Sequence, residues 1–585
     1  MTVNSPPRPR LAVRIGVTGH RPGKLAEADM PLLRQQVSQV VARVREIAHD
    51  IAADRTNGYS DELPLLRVVS ALAEGSDRIV ALVARAAGFE LQVLLPYSAA
   101  SYASEFVDSR SRAEFQELLA AATAVYTLDG TPREGEAYER VGYAVLEQSD
   151  VLIAIWDGND AAGRGGTAHI VHRAAEHGIP VVWVGARAPH DTRLLHSDGD
   201  ELIAADIDGL TSRLTTLLQP PSGHAVADLR ERYFAERAVR GRMGRLYGAV
   251  TRLVSWTKPL WPRLLPSDYV AATRDAWQRL WTGIPQSVTG PLERALVVPY
   301  AWADQLATYY ANRHRTAFTW IYALTFFAVV VAFGKEHDVP DHRLYWVVGY
   351  VVLLFSLIGL WLIGRRKLWH ERWLDYRSLA EQLRHLVILF PIGYGRPVLS
   401  VPVHAAAFDP RATWVQWYVR GIASQTGLTT TALDARYLDA YRRLLRAELR
   451  EQVEYHATLA ARSRSVQRRL DRLVLALVFS GLAASVIGFA AAERWDLTPL
   501  TVLLPALAGA VYGFLGEGEF RAIARRSEGI QAGLQALVAR LDRLRAPSSR
   551  SLVRAAETAV DMMGGELIDW RVDVGGKPLK LPKGH

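Results

Sequence analysis

The sequence predicts an α/β domain built on a doubly wound parallel sheet, followed by an all-α membrane region with four transmembrane helices. Three observations carry this reading. Short β-rich apolar runs alternate with helical patterns from residue 11 to residue 184. Four longer apolar runs, at 317–333, 344–363, 473–492 and 497–515, contain no Asp, Glu, Lys or Arg. Basic residues crowd one end of each of those four runs.

In the first region the apolar runs predict strands over 11–17, 66–71, 91–95, 125–128, 151–156 and 180–184. Helical spacing predicts helices over 30–52, 76–87, 113–122, 138–148 and 167–177. Strict alternation of the two implies crossover connections and hence a mostly parallel sheet. The domain is expected to span 11–207, after a disordered start at 1–10.

Each long apolar run is near the ~20 residues that cross a hydrocarbon core of about 30 Å. Arg313 and Arg315 precede the first, and Arg365, Arg366 and Lys367 follow the second. Arg462, Arg464, Arg468, Arg469 and Arg472 precede the third, and Arg521, Arg525 and Arg526 follow the fourth. The turns between paired runs, near 335–343 and 493–496, are short and acid-bearing. Positive charge stays on the cytoplasmic side, so both turns are expected outside and both termini inside a plasma membrane. The first ten residues lack an apolar core, so no signal peptide is expected.

The net charge of +9 is explained by those flanks, so nucleic acid is not an expected partner. The chain has no cysteine, which excludes disulfides and thiolate metal sites.

Amphipathic helices are expected to continue beyond the apolar runs. Trp373, Tyr376, Leu379, Leu383 and Leu386 recur at helical spacing, as do Leu438, Tyr441, Leu445, Leu449 and Val453, and Ile530, Leu534, Leu537, Leu541 and Leu544. The layout gives two helical hairpins, over 301–392 and 433–573, a cytoplasmic linker over 393–432 and a tail over 574–585. The Trp-rich stretch 208–300 reads equally as a membrane-surface helix and as a bridge between domain and stalk. Gly509 with Gly513, and Gly481 with Ser485, are small pairs suited to close helix approach, and a homo-oligomer is expected.

In a parallel sheet, ligands sit beyond the carboxyl ends of the strands. The unusual residues of the domain gather there: Gly16, Thr18, Gly19, His20 and Arg21 after the first strand, and Glu74, Gly75, Ser76, Asp77 and Arg78 after the second. Pro96, Tyr97 and Tyr102 follow the third strand, and Trp156 and Asp157 the fifth. Gly163, Arg164, Gly165, Gly166 and Thr167 then open a helix. Glycines allow close backbone approach, a helix N-terminus offers free N–H groups, arginines suit phosphate, and aromatic rings stack on a base. Glu74 and Asp77 are candidates for a ribose or for a phosphate-borne Mg²⁺. His169, His172 and His177 read as ordinary helix histidines, without a convergent third metal ligand.

The segments GVTGHRP, SALAEGSDRIVA, LLPYSAASYASEF and SDVLIAIWDGNDAAGRGGTAHIV resemble a SLOG domain over 11–187. This Rossmann-like group includes the LOG nucleotide hydrolases, DprA and the sensor regions of melastatin TRP channels. HRTAF, LDYRSLAEQLRHL and GGELIDW resemble the SLATT membrane effectors more loosely. The resemblance implies a cytoplasmic sensor of a nucleotide or nucleotide-derived messenger, coupled to a pore-forming or membrane-disrupting effector in bacterial antiviral defence. LOG hydrolases carry a catalytic Glu three residues after the Thr of their Gly-rich motif. Here that position is Ile170, which has no acid–base chemistry. A membrane-tethered nucleotide-processing enzyme using Asp77, Glu74 or Asp157, a ligand-gated ion channel and a passive scaffold stay open as alternatives.

Overall fold

The computed structural model describes residues 5–106, 108–159, 165–198, 201–237, 246–256, 268–337, 342–395, 413–490 and 495–575. The first region runs β1 (Ala12–Gly19), α1 (Met30–Ala53), β2 (Leu65–Ser70), α2 (Ser76–Ala86), β3 (Glu90–Leu95), α3 (Ala99–Ala103), α4 (Ser109–Ala120), β4 (Ala124–Thr127), α5 (Gly135–Glu147), β5 (Val151–Trp156), α6 (Thr167–Glu176), β6 (Val181–Gly185), β7 (Thr192–Asp198), β8 (Glu201–Asp206) and α7 (Gly209–Leu218). There follow α8 (His224–Phe234), α9 (Leu246–Ser255), α10 (Tyr269–Leu280), α11 (Gln286–His337), α12 (Arg343–Arg366), α13 (Trp369–Leu389), α14 (Trp414–Thr426), β9 (Thr431–Ala432), α15 (Ala435–Ala490), α16 (Thr498–Gly518), α17 (Phe520–Arg543) and α18 (Ser549–Gly575).

All six predicted strands are present, but the sheet is mixed and larger than expected, in the order β8-β7-β6-β5-β1-β2-β3-β4-β9. Six central strands are parallel, with β9 added parallel to β4, while β7 and β8 run antiparallel at the other edge. The sheet is mostly parallel, as expected; the antiparallel hairpin is not among the expected strands, because its outer strand is largely exposed and carries no buried apolar run. Helices α1 and α2 pack together, as do α5 and α6. Right-handed crossovers place the two pairs on opposite faces. Strand order reverses at β1, which pairs with β2 on one side and β5 on the other. The topological switch point therefore lies between β1 and β5.

The stretch read as a linker, 393–432, is corrected in its described part: it supplies α14 and β9 to the sheet region. Trp417 on α14 donates from Nε1 to Leu218 O (2.9 Å) and stands edge-on to Tyr59. Trp414, one turn earlier, donates to Asp375 Oδ2 on α13 (2.6 Å). Leu433 N donates to Thr127 O (2.8 Å), and Tyr437 OH to Pro391 O (2.6 Å). Apolar spacing alone cannot report this, because the contacts are between residues far apart in the chain, from 39 positions for Trp414–Asp375 to 199 for Trp417–Leu218 and more for Leu433–Thr127.

The second region is all-helical. Helices α11 and α15, of 52 and 56 residues, are each about 80 Å long at 1.5 Å per residue. The helical-spacing residues of α13, α15 and α17 face inward: Tyr376, Leu383, Leu445 and Leu534 are fully buried. Four helices, α11, α12, α15 and α16, carry windows long and apolar enough to cross a membrane. The window in α12 is 6% buried, and Phe355, Phe489 and Tyr512 are 71%, 90% and 70% exposed. Isolated soluble chains rarely expose so large a contiguous apolar surface. Gly513 lies against the Tyr322 ring and Gly481 against Pro505, so these two allow close helix approach, whereas Gly509 faces open space.

In the Trp-rich stretch, Trp277 and Trp281 are core residues. Tyr247 of α9 packs among Phe318, Phe514 and Phe520 at the base of the apolar helices, while Leu253 and Trp256 stay exposed. Trp261 lies outside the described residues.

Candidate functional site

A cleft of ≈ 520 Å³ opens at the carboxyl ends of β1 and β5, at the switch point. Its walls come from the turn after β1, the start of α2, one face of α5 and the N-terminus of α6. Of the sequence-predicted residues, Thr18, Gly19, His20, Arg21, Asp77, Tyr102, Trp156, Gly165, Gly166 and Thr167 line it.

The β1 turn is held close to its neighbours. His20 N donates to Ile155 O (3.0 Å), and Ser76 donates to His20 O from both N (3.1 Å) and Oγ (2.8 Å). A Cβ at Gly19 would lie 2.5 Å from Ser76 Cβ and 2.7 Å from Ile155 O, so only glycine lets the three segments converge. Gly75 has φ +92°, and a Cβ there would meet His20 O at 2.7 Å. Gly75 and Ser76 thus shape the cleft from behind. Gly16 serves packing as well, its open side filled by Ser149.

Asp157 orders the far rim. His20 Nε2 lies 2.8 Å from its Oδ1, Lys24 Nζ donates to Oδ2 (3.2 Å) and Asn159 N to Oδ1 (3.2 Å). Burial opposes charge there, but those hydrogen bonds outweigh it and hold the carboxyl well below the usual range. Arg21 is different. Its side chain is 56% exposed, 4.0 Å from Glu105 Oε2 and over the Tyr138 ring (5.3 Å). Across the cleft stands the first turn of α6, whose Gly166 cap makes no side-chain bond. Helix starts leave N–H groups and partial positive charge for an anion.

Asp77 lies deeper. Its Oδ2 accepts from Ala73 N (3.3 Å), and burial pushes its carboxyl up to about 6. Tyr102 is buried at the floor, edge-on to Tyr97. Tyr97 is buried too, and its hydroxyl meets Tyr138 OH at 2.9 Å. Neither offers an open ring face for stacking, and Pro96 O is taken by Gly130 N (3.0 Å).

Arg78 points away from the cleft. It donates from Nε to Leu72 O (3.1 Å) and from Nη1 to Ser111 O (2.8 Å), under the Phe106 ring. Glu74 accepts from Ser111 Oγ. Glu74 and Asp77, expected to share a ribose or Mg²⁺, are thus engaged by separate partners. Among the described residues no group of three or more His, Asp or Glu forms a metal cluster. Gly163 and Arg164 lie outside the described residues. Ile170 is 2% exposed against Gly142, where it packs α6 on α5.

Lys24, Tyr138 and Asn159 also line the cleft and were not singled out. Lys24 lay three residues beyond the Gly-His-Arg turn. Tyr138 had no motif of its own, being the opening residue of a helix read as a plain crossover.

The helices around the cleft connect it to the rest of the chain. A Cβ at Gly165 would sit 2.6 Å from Glu139 N on α5. The next residue, Arg140, bonds Asp129 and Ser549 on α18. Ser549 donates to Asp129 from N (2.8 Å) and Oγ (2.7 Å). Helix α18 in turn packs on α13, α15 and α17.

No protein-family model matches the chain, and no curated protein matches it.

Proposed function

We propose that the chain is a membrane-embedded sensor–effector. The switch-point cleft binds a nucleotide or nucleotide-derived messenger on the cytoplasmic side, and occupancy alters the packing of four transmembrane helices to open a pore or disturb the bilayer. The observation that carries the reading is that the half-exposed Arg21 and a helix start without a side-chain cap line the same glycine-bearing cleft. That pairing suits a phosphate group. The exposed apolar surface of α12, α15 and α16 supports the bilayer part, with both termini cytoplasmic in a bacterial plasma membrane. The route from cleft to spans is α5 to α18, through Gly165–Glu139 and Arg140–Ser549.

Mass spectrometry of small molecules released from the purified full chain tests the cleft. A phosphorylated nucleoside compound is expected with wild type and absent from Arg21→Ala, and equal recovery from both removes the cleft as its site. Reporter fusions at residues 337 and 495 should report an outside location, and inside signals there defeat the membrane topology.

A second reading has one observation in its favour. Asp77 lines the cleft with a carboxyl near pKa 6, suited to proton transfer in a nucleotide-processing enzyme. Multiple-turnover release of base that stops in Asp77→Asn would select it.

A further inference from the structure

Helix α9 buries its hydroxyls and exposes its largest aliphatic side chain. Thr251 and Ser255 are buried, and each bonds back into its own helix, Thr251 Oγ1 to Tyr247 O (2.8 Å) and Ser255 Oγ to Arg252 O (3.3 Å). Leu253 is 63% exposed, and Trp256, just past the last turn, is 77% exposed. Tyr247, on the other side of the helix, packs against Phe318, Phe514 and Phe520. A helix facing water carries the reverse pattern, with hydroxyls outward and large apolar groups inward.

The contacts of α9 fix its level along the apolar helices. Phe318 is the second residue of the first apolar run, and Phe514 the next to last of the fourth. Arg315, two residues before the first run, lies over the Tyr247 ring (5.4 Å). Arg469, four residues before the third run, donates to Val254 O (2.9 Å) and lies over the Trp256 ring (5.1 Å). Four residues of helix cover about 6 Å. Helix α9 therefore lies against the basic ends of three apolar runs, where hydrocarbon gives way to headgroups. Tryptophan favours that layer, and an arginine there lays its stem on apolar surface while its head stays among polar groups. We propose that α9 is an interfacial helix on the basic side of the bilayer, with Leu253 and Trp256 inserted at the boundary of headgroups and acyl chains. Its partner is the lipid surface, with which its exposed face is continuous through the apolar helices beside it. This placement rests on the reading of the four apolar helices as spans, and adds a membrane contact that no span supplies.

Because the chain has no cysteine, a single introduced one carries a nitroxide label at a chosen site. The full chain, in liposomes of phosphatidylcholine and phosphatidylglycerol, is labelled in three variants. They are Leu253→Cys, Phe355→Cys in the middle of the second apolar run, and Glu46→Cys on the exposed side of α1. Collisions with oxygen, which partitions into lipid, are compared with collisions with a water-soluble nickel chelate. The ratio of oxygen to chelate collisions should be highest in Phe355→Cys and lowest in Glu46→Cys, with Leu253→Cys between them. If Leu253→Cys does not fold, Trp256→Cys gives the same comparison. A ratio in Leu253→Cys as low as in Glu46→Cys, with Phe355→Cys high, overturns the interfacial helix and leaves the spans standing. Protection of Leu253→Cys from both reagents means that protein covers this face, which also overturns it. A ratio equal to that of Phe355→Cys places α9 in the hydrocarbon core and overturns the interfacial placement. A low ratio in Phe355→Cys removes the spans, and α9 from the bilayer with them.

Discussion

Arg14 and Arg21 stand seven positions apart, within β1 and just beyond its end, with opposite fates. Arg14 is 1% exposed and donates to Asp150 from Nε (3.1 Å) and Nη2 (3.2 Å). The same carboxylate accepts from Arg420 of α14 (2.9 Å), and Arg67 nearby donates to Ser424 O (2.7 Å). Arg21 stands half in solvent, with its closest carboxylate at 4.0 Å. At one end of the strand charge is buried and matched, joining sheet to helices. At the other a cation is held open. The difference teaches that the domain is fixed on the stalk by a buried network rather than slung from a linker. The proposed sensor mechanism therefore calls for local shifts along α5 rather than a swing of the whole domain.

The strongest way to break this comparison is at Asp150. Asp150→Asn leaves two arginines without their counter-charge, and removing one partner of a buried pair costs about 3–5 kcal/mol. Denaturant unfolding should show that loss, and unchanged stability would mean the network does not fix the domain. Burial disfavours the Asp150 charge, but Arg14 and Arg420 outweigh it and hold the carboxyl far below its usual value. The folded pKa lies below the unfolded one. The stabilisation is therefore complete above about pH 4 and is lost as pH falls further, a slope that Asp150→Asn should flatten.

Asp77 sharpens the contrast with a smaller effect of the opposite sign. Burial raises its carboxyl to about 6, so the folded chain binds a proton more tightly than the unfolded one. Its charge costs stability as pH rises from about 4 to 6, with the full cost, about 2–3 kcal/mol, present above 6. Asp77→Asn keeps an acceptor for Ala73 N, so at pH 7 it should stabilise the chain. A destabilised variant would mean that the carboxylate is stabilised in a way the buried geometry does not account for.

The smallest effect expected is at the exposed pair Arg550–Glu136 (2.7 Å), which joins α18 to α5 beside the Ser549 contacts. Arg550→Ala should change unfolding by less than about 1 kcal/mol. A larger loss would place the fixing of domain to stalk at α18 as much as at Asp150.

The elements legible in the sequence were those defined by local patterning. Six strand cores and the amphipathic faces of α13, α15 and α17 fell where apolar spacing put them, because each buries a face of its own. The cleft's position was legible from strand order logic, and Gly19 and Arg21 with it. The rest depended on long-range partners. Arg78 has the look of a phosphate ligand, yet Ser111 and Leu72 claim it. Tyr97 looks like a stacking ring, yet its faces are filled by Tyr102 and Tyr138. Residues 413–432 lacked any strong period, and only contact with Tyr59, Thr127 and Asp375 gives them structure.

The central claim, that cleft occupancy reaches the apolar helices, is tested most directly by flux from liposomes containing the full chain, titrated from the cytoplasmic face with a nucleotide panel. The account predicts a saturable change in flux with a member of that panel. In Arg21→Ala the half-maximal concentration should rise about tenfold or more, as loss of one charged hydrogen bond requires. A nucleotide that binds wild type by calorimetry, loses affinity in Arg21→Ala and leaves flux unchanged at saturation would contradict it.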